Sequence, residues 1–302
     1  MTYIDNVIIN TNKINKDKKI LLISDLHLTK DLGFKHLKEV KSNVAMDEIQ
    51  QIVIPGDIFN DVNELEDSRF KEHALQELDD FSCGKQVFIS PGNHDLMTKN
   101  NNKWEIGNFS LFEDAIKELP NFHLLHNGEK KRYDSITYSA FSPDFSYYEN
   151  EKKKRKDLES PNEYRRAFLE QYNVNLFNSS EFNILLTHEP QSIIKLSLEK
   201  GKCIQCDTDV VVSGHMHNGL LPHYFHKFAF NRGIISPQKQ FFPKYAQGNI
   251  EIGDTTFVIN GPVNVMVENS LVNNALGSNA TVIELVKKRG SLSNSGDLRK
   301  SK

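Results

Sequence analysis

Seven side chains able to ligate a metal fall in five short blocks of this chain. They are Asp25 and His27 in ILLISDLHL, Asp57 in IVIPGDIFN, Asn93 in VFISPGNHD, His188 in NILLTHE, and His215 and His217 in VVVSGHMHNG. Carboxylate, amide and imidazole make a mixed O/N donor set, and Cys is absent from every block. That set suits two divalent transition metals sharing a bridging carboxylate and argues against a structural thiolate zinc site. The Asp-x-His and His-x-His pairs put two ligands on one loop, able to converge on one point.

The elements that must position these residues are legible just upstream. Each block follows an apolar, β-branched run, at 20–23, 52–54, 87–89, 184–186 and 210–212. Such runs read as strands buried on both faces. A ligand on the loop after a strand's carboxyl end is where open α/β sheets place their sites. Gly56, Gly92 and Gly214 each precede a ligand by one residue and let the backbone approach a charged centre. A single His after a strand is ordinary; five blocks in order, each after a strand, are not.

The order SDLH, GD, GNHD, THE, GHMH resembles the calcineurin-like metallophosphoesterase superfamily. The resemblance implies an α/β fold, the metallophosphoesterase-type four-layer α/β/β/α sandwich with two packed mixed sheets. It implies Asp25, His27 and His217 as ligands of one metal, Asn93, His188 and His215 as ligands of a second, and Asp57 as the bridge. His94 matches the position that protonates the leaving group or stabilises the transition state, and Asp95 matches its partner acid. The implied cofactor is a pair of divalent metal ions, Mn²⁺ first, with Fe or Zn²⁺ as alternatives. One departure stands out. The family often continues GD-x-x-D, whereas here Asn60 holds that place and Asp61 comes one residue late. The later stretch GIISPQKQFFPKYAQGNIEIGDTTFVINGPVN and the strand ATVIELV, about 229–286, are similar to the bacterial YkuE-like phosphohydrolases.

The implied activity is hydrolysis of a phosphomonoester, phosphodiester or pyrophosphate bond by metal-activated hydroxide. Two metals about 3.5–4 Å apart acidify a water and neutralise charge on the phosphoryl oxygens. A metallo-nuclease of the same superfamily is the alternative, and a non-catalytic scaffold a third. A net charge of −3 and the lack of a clear basic-aromatic groove weigh against nucleic acid as a partner. The presence of every ligand weighs against a scaffold.

The chain has 302 residues and is 38% hydrophobic, enough for one large domain. Because the ligands run from Asp25 to His217 and must converge, 1–286 reads as a single domain and 287–302 as a disordered polar tail. Cys83, Cys203 and Cys206 read as reduced thiols, the lone Cys203-x-x-Cys206 pair included. No secretory pattern and no apolar run of about eighteen residues is seen, so the expected setting is cytoplasmic, without membrane insertion.

Residues 3–10 read as an edge strand, 34–50, 67–81 and 107–119 as helices, and 122–125 and 136–141 as strands around a polar segment at 127–134. The charged run 149–159 reads either as a solvated helix face or loop, or as part of a cap insertion at about 143–175. In the cap reading Lys152, Lys153, Lys154, Arg155 and Lys156 attract an anionic substrate. Helical spacing resumes at 164–172. His223 and His226 extend the metal site, line a substrate groove or lie on the surface. Phe241, Phe242 and Tyr245 with Lys244 form either core or a lid over the substrate. The candidate substrate contacts are therefore Asn60, His223, Phe241, Phe242, Lys244 and Tyr245.

Overall fold

The computed structural model of the chain describes residues 1–30, 34–101, 103–143, 148, 179–200, 207–237, 239–265 and 275–288. Its strands are β1 (Thr2–Thr11), β2 (Lys18–Leu22), β3 (Gln51–Pro55), β4 (Gln86–Ser90), β5 (Met97–Asn100), β6 (Lys103–Ile106) and β7 (Phe122–Leu124). They continue with β8 (Lys130–Tyr133), β9 (Ile136–Ala140), β10 (Phe182–Leu186), β11 (Val210–Ser213), β12 (Gly248–Ile252), β13 (Thr255–Ile259) and β14 (Ser278–Lys287). The helices are α1 (Phe34–Asn43), α2 (Ser68–Ser82), α3 (Phe109–Lys117) and α4 (Pro190–Lys200).

Two mixed sheets carry the site. The first has strand order β1-β14-β2-β3-β4-β7, with β2, β3, β4 and β7 parallel. The second has order β12-β13-β11-β10-β9-β8, with β13, β11, β10 and β9 parallel. All five strands that precede the motif blocks lie in these parallel sets. Antiparallel pairs flank these sets: β12 beside β13 and β8 beside β9 form the two edges of the second sheet, and β14 beside β2 is covered in the first by β1, which runs parallel to β14.

The alternation of side chains along each strand builds the layers. Ile20, Leu22, Val53 and Phe88 face inward and meet Ile184, Leu186, Val210 and Val212 of the second sheet. Their neighbours Leu21, Ile52, Ile54, Val87 and Ile89 face outward and pack with Leu37, Phe70, Leu78 and Phe112 of α1, α2 and α3. On the other side, Leu185, Val211 and Phe257 pack with Ile193, Ile194 and Leu196 of α4. Three separate cores thus make four layers, α/β/β/α, and explain why the strand sequences are apolar without a break.

The helices start where side chains satisfy their free amides. Asp67 accepts from Arg69 N (3.0 Å) and Phe70 N (3.3 Å) ahead of α2. Glu189, next to His188, accepts from Gln191 N (2.7 Å) and Ser192 N (3.0 Å) ahead of α4. These contacts fix where each loop ends and helix begins.

Several sequence expectations need correction. The helix expected over 34–50 stops at Asn43, and a separate 3-10 turn follows at Met46–Glu48. Ser42 Oγ and Asn43 Nδ2 both donate to the Glu39 carbonyl, a local bonding pattern that competes with continuing the helix. The polar segment 127–134 contains β8, whose residues are all exposed and which forms through its ladder to β9. The cap at about 143–175, the helix at 164–172, Cys203 and Cys206 lie outside the described residues, as does the tail beyond 288.

Between the sheets, the Phe88 and Tyr138 rings stack at 3.8 Å with an interplanar angle of 9°. The Tyr138 hydroxyl donates to Gln51 Oε1, and both residues are buried. Removing that donor strands a buried acceptor. Tyr138→Phe is therefore expected to destabilise the fold by about 1–3 kcal/mol in urea titrations, with metal content unchanged. An unaltered midpoint would show that the hydroxyl carries no net stability.

Candidate metal centre

The carboxyl ends of β2, β3, β4, β10 and β11 bring the motif residues together. Strand pairing continues into the loops: Asp25 N donates to Gly56 O (3.2 Å) and His27 N to Asp57 O (3.1 Å). Gly214 N donates to His188 O (3.2 Å) in the second sheet. These bonds turn the loop backbones sharply. Asp25, His27, Asp57, His215 and His217 all take positive φ, between 43° and 67°. The left-handed region costs free energy for residues with a Cβ, and it turns these side chains off the strand line toward a common point. The glycines allow the approach. A Cβ on Gly92 would lie 2.2 Å from Asp57 Oδ1, and one on Gly214 would lie 2.4 Å from Asp25 Oδ2.

The donor atoms fall into two groups. In the first, His217 Nε2 lies 3.2 Å from Asp25 Oδ1 and 3.2 Å from His27 Nε2. In the second, His188 Nε2 lies 3.1 Å from Asp57 Oδ2, 3.2 Å from Asn93 Oδ1 and 3.1 Å from His215 Nδ1. Asp57 Oδ2 also lies 3.8 Å from His27 Nε2, so one carboxylate faces both groups. The donors Asp25, His27 and His217, and separately Asp57, His188 and His215, are mutually within 4.8 Å. His188 Nδ1 donates to Pro55 O (2.8 Å), which leaves Nε2 for a ligand. Asp25 and Asp57 are buried, and their ion-pair partners among the described residues are histidines. Two buried carboxylates with no Lys or Arg partner among the described residues, ringed by imidazole nitrogens, fit a site for divalent cations.

The protonation pattern of the metal-free site follows from the same geometry. Burial holds His27 and His215 neutral, each driven down to about 3. Burial also opposes charge on His188, but Asp57 at hydrogen-bond distance, with Asp25 behind it, raises that ring to about 10. Against burial, the His217 hydrogen bond lowers Asp25 to about 2, and the imidazoles of His188 and His94 hold Asp57 well below the usual carboxylate range. Without metal, the His188 imidazolium supplies the cationic charge that the two carboxylates face.

His94 and Asp95 take different places. His94 Nδ1 donates to the Asn60 carbonyl (2.7 Å), its backbone N donates to Asp57 Oδ1 (2.8 Å), and its ring meets His27 edge-on at 4.7 Å. Asp95, expected as the partner acid of His94, points inward. It accepts from the backbone amides of Asp57 (2.8 Å), Ile58 (3.0 Å), Phe59 (3.1 Å) and Gly92 (2.9 Å). Burial and the nearby Asp57 carboxylate push it up to about 7, against the pull of those amides. Asp95 is thus a positioning residue that ties the Asp57 loop to the Gly92 turn. Asn60 acts on His94 through its carbonyl, so Asn in place of Asp leaves that contact intact.

The remaining candidates lie apart from these groups. His223 stacks flat on Tyr3 (4.0 Å, 4°) with Nε2 3.3 Å from Asp5 Oδ1, and His226 Nε2 donates to Leu221 O (2.9 Å). The aromatic loop divides. Tyr245 is half-buried against the α4 core, while Phe241 and Phe242 are 72% and 67% exposed and are not core. The Lys244 carbonyl accepts from Gln191 Nε2 (2.8 Å), tying this loop to the turn after His188. Sequence reasoning missed Trp104 on β6, whose ring meets His94 edge-on at 4.7 Å. Its one signal is that it is the sole Trp in the chain.

The calcineurin-like phosphoesterase family model matches residues 18–219, and the chain belongs to that family. It is 24% identical over 242 residues to an uncharacterized metallophosphoesterase of Campylobacter jejuni, covering 77% of this chain and 52% of the relative. The chain therefore spans about half the length of that curated relative. Among solved structures it is similar to a phosphopantetheinyl hydrolase from Mycobacterium tuberculosis (15% identity, 83% of this chain, 92% of the other, TM-score 0.41). It is also similar to a dimetal phosphatase from Danio rerio (12% identity, 82% and 88%, TM-score 0.42). These structural likenesses are weak, and membership rests on the family model.

Two outcomes follow from the geometry. Asp95→Asn keeps the size but replaces one accepting oxygen with an amide that faces backbone N–H groups. It is expected to cost about 2–4 kcal/mol in urea titrations and to weaken metal retention about 10–100-fold. Wild-type stability together with wild-type metal content would refute the positioning role. The second concerns His188, whose metal-free value lies above the ordinary 6.5, at about 10. A cation there requires the neutral ring, so loading below that value displaces the proton and affinity rises with pH up to it. Calorimetry at about pH 8, in buffers of different ionisation enthalpy, is expected to show proton release that His188→Gln reduces, leaving the share that comes from acidified water. Heats independent of buffer in the wild type would contradict it.

Proposed function

We propose that this chain is a dinuclear-metal-dependent phosphoesterase that hydrolyses a phosphomonoester, phosphodiester or pyrophosphate bond. The observation that carries this reading is the pair of donor groups facing a single carboxylate, Asp57. Asp25, His27 and His217 would hold one cation, Asn93, His188 and His215 the other, and Asp57 would bridge. The O/N donor set favours Mn²⁺, with Fe or Zn²⁺ as alternatives. When bound, such a pair supplies charge neutralisation for the phosphoryl oxygens and activates a water nucleophile.

The protein's own contribution is placement. Asp95 fixes the loop that carries Asp57, and the Pro55 carbonyl fixes which nitrogen His188 offers. His94 is held by Nδ1 to the Asn60 carbonyl, so Nε2 is the nitrogen left to protonate a departing oxygen. Edge contacts from His27 and Trp104 limit rotation of that ring.

The test is turnover of a panel of mono-, di- and pyrophosphate esters by protein stripped with a chelator and reloaded with Mn²⁺, Fe²⁺ or Zn²⁺. Activity is expected to vanish on stripping and return on reloading. Failure to bind any of these ions, or no turnover by loaded protein on any ester, would end the reading. In the same assay His94→Ala is expected to keep its metals while kcat falls about 10²–10⁴-fold. The fall should be smaller for nitrophenyl esters, whose leaving groups need less protonation; equal falls would place His94 on the phosphoryl oxygens instead.

A further inference from the structure

The segment that follows the His217 loop exposes an unusual amount of aromatic surface. Tyr224, Phe225, Phe228 and Phe230 are 63%, 46%, 75% and 86% exposed, and Phe241 and Phe242 are 72% and 67% exposed. Ile234 adds a further aliphatic side chain at 44%. Exposed apolar surface on this scale marks a docking face more often than it marks plain solvent contact.

The backbone joins these residues into one unit. Phe242 N donates to Ile234 O (2.9 Å) and Gly233 N to Pro243 O (3.1 Å), forming a hairpin that carries Ile234 and both exposed Phe rings. Ile234 N and Ile235 N both donate to Gly219 O (2.7 and 3.0 Å), tying the hairpin to the turn just past His217. The 3-10 turn His223–Phe228 presents Tyr224, Phe225 and Phe228, with Tyr224 and Phe225 4.3 Å apart, and Phe230 follows two residues after it. Phe230 and Phe242 hold left-handed backbones, φ 47° and 50°, which bulky residues rarely adopt, and both point their rings outward.

Charge narrows the occupant. From Val210 to Ile250 no Asp or Glu occurs, although the chain has 40 of them. The same stretch carries Lys227, Arg232, Lys239 and Lys244, all exposed. In a protein of net −3 this segment is thus basic and aromatic, four cations against the Asp5 carboxylate that meets His223 at its border (3.3 Å). Phenylalanines interleaved with Lys and Arg suit the headgroup–acyl boundary of a bilayer containing anionic lipid. Single-stranded nucleic acid also stacks on rings. However, its affinity grows with the number of phosphates neutralised, and here apolar side chains outnumber cations and include Ile234, which has no π-face.

We propose that the 222–244 face docks the protein peripherally on the surface of an anionic lipid bilayer. No helix among the described residues is long and apolar enough to cross a membrane. The docking is a surface contact, with the rings in the acyl boundary and the cations at the headgroups. It sets the His217 loop beside the headgroup layer, and it stands whichever ester the metal centre cleaves.

The experiment is cosedimentation of the full chain with vesicles of phosphatidylcholine alone and of phosphatidylcholine mixed with phosphatidylglycerol. Binding is expected only with the anionic lipid and is expected to weaken with salt. Phe225→Ser/Phe228→Ser/Phe230→Ser and, separately, Lys227→Glu/Arg232→Glu/Lys239→Glu are expected each to lower partitioning at least about tenfold. Thermal midpoint and turnover of a small soluble ester serve as folding controls; if the Ser variant unfolds, the Glu variant on the exposed cations decides. No binding to either vesicle overturns the proposal. So does binding to an oligonucleotide that exceeds vesicle binding, or a concentration-dependent dimer that the Ser variant abolishes and that binds no vesicle.

Discussion

Asp95 accepts backbone amides from Asp57, Ile58, Phe59 and Gly92, all within 3.1 Å, in a fully buried position. Each of those amides has left its strand and would otherwise be an orphan donor in the interior, at a cost of about 1–3 kcal/mol. The arrangement solves two problems with one group. The amides stabilise a carboxylate that burial disfavours, and the carboxylate welds the loop after β3 to the loop after β4. Asp57 Oδ1 is then bonded by His94 N, and Oδ2 is left to face both donor groups. Without that weld, the carboxylate between the two groups would have no fixed orientation.

The loops that carry the donor groups are strained, and the sheets hold the strain in place. Five of the proposed ligands, Asp25, His27, Asp57, His215 and His217, take left-handed backbones. Such positions cost about 1–3 kcal/mol each and persist only where the surroundings over-determine them. Here the surroundings are strands packed on both faces, ending two or three residues before the first ligand of each block. The apolar runs therefore do more than build a core. They are the rigid footing that lets short loops hold unfavourable conformations with several charged groups close together. Metal-free, the site relieves part of that crowding with a proton on His188.

The layers and the clustered residues were largely legible in the sequence because they depend on side-chain type. Unbroken Ile, Val and Leu runs mark doubly buried strands, and the polar residues after them mark the loops that carry chemistry. What was not legible depends on the backbone. Asp95 acts on amides and His94 on the Asn60 carbonyl, and main-chain groups have no letter in a sequence. The contact made by Asn60 is unaffected by the departure from GD-x-x-D for that reason. β8 was missed because Lys130, Lys131, Arg132 and Tyr133 show no burial pattern; its partner β9 supplies the order. Trp104 was missed because it reaches His94 across a short hairpin, β5–β6, that exposed residues give no reason to expect.

The placement of charge follows the same logic on a larger scale. A further carboxylate beside the donor groups, beyond Asp25 and Asp57, would compete for cations or repel an incoming phosphoester. The acid-free stretch from Val210 to Ile250 adds no carboxylate of its own to the loop that carries His215 and His217, where Asp25 already lies 3.2 Å from His217 Nε2. Within that stretch the ionised groups of fixed sign are the cations Lys227, Arg232, Lys239 and Lys244. The acidic residues that make the chain net negative lie elsewhere along the sequence. That separation gives the protein a polarity that a count of total charge hides. The cations that give the aromatic face its sign follow His217 in the chain, and the Gly219 carbonyl that accepts from Ile234 N and Ile235 N joins that face to the His217 loop.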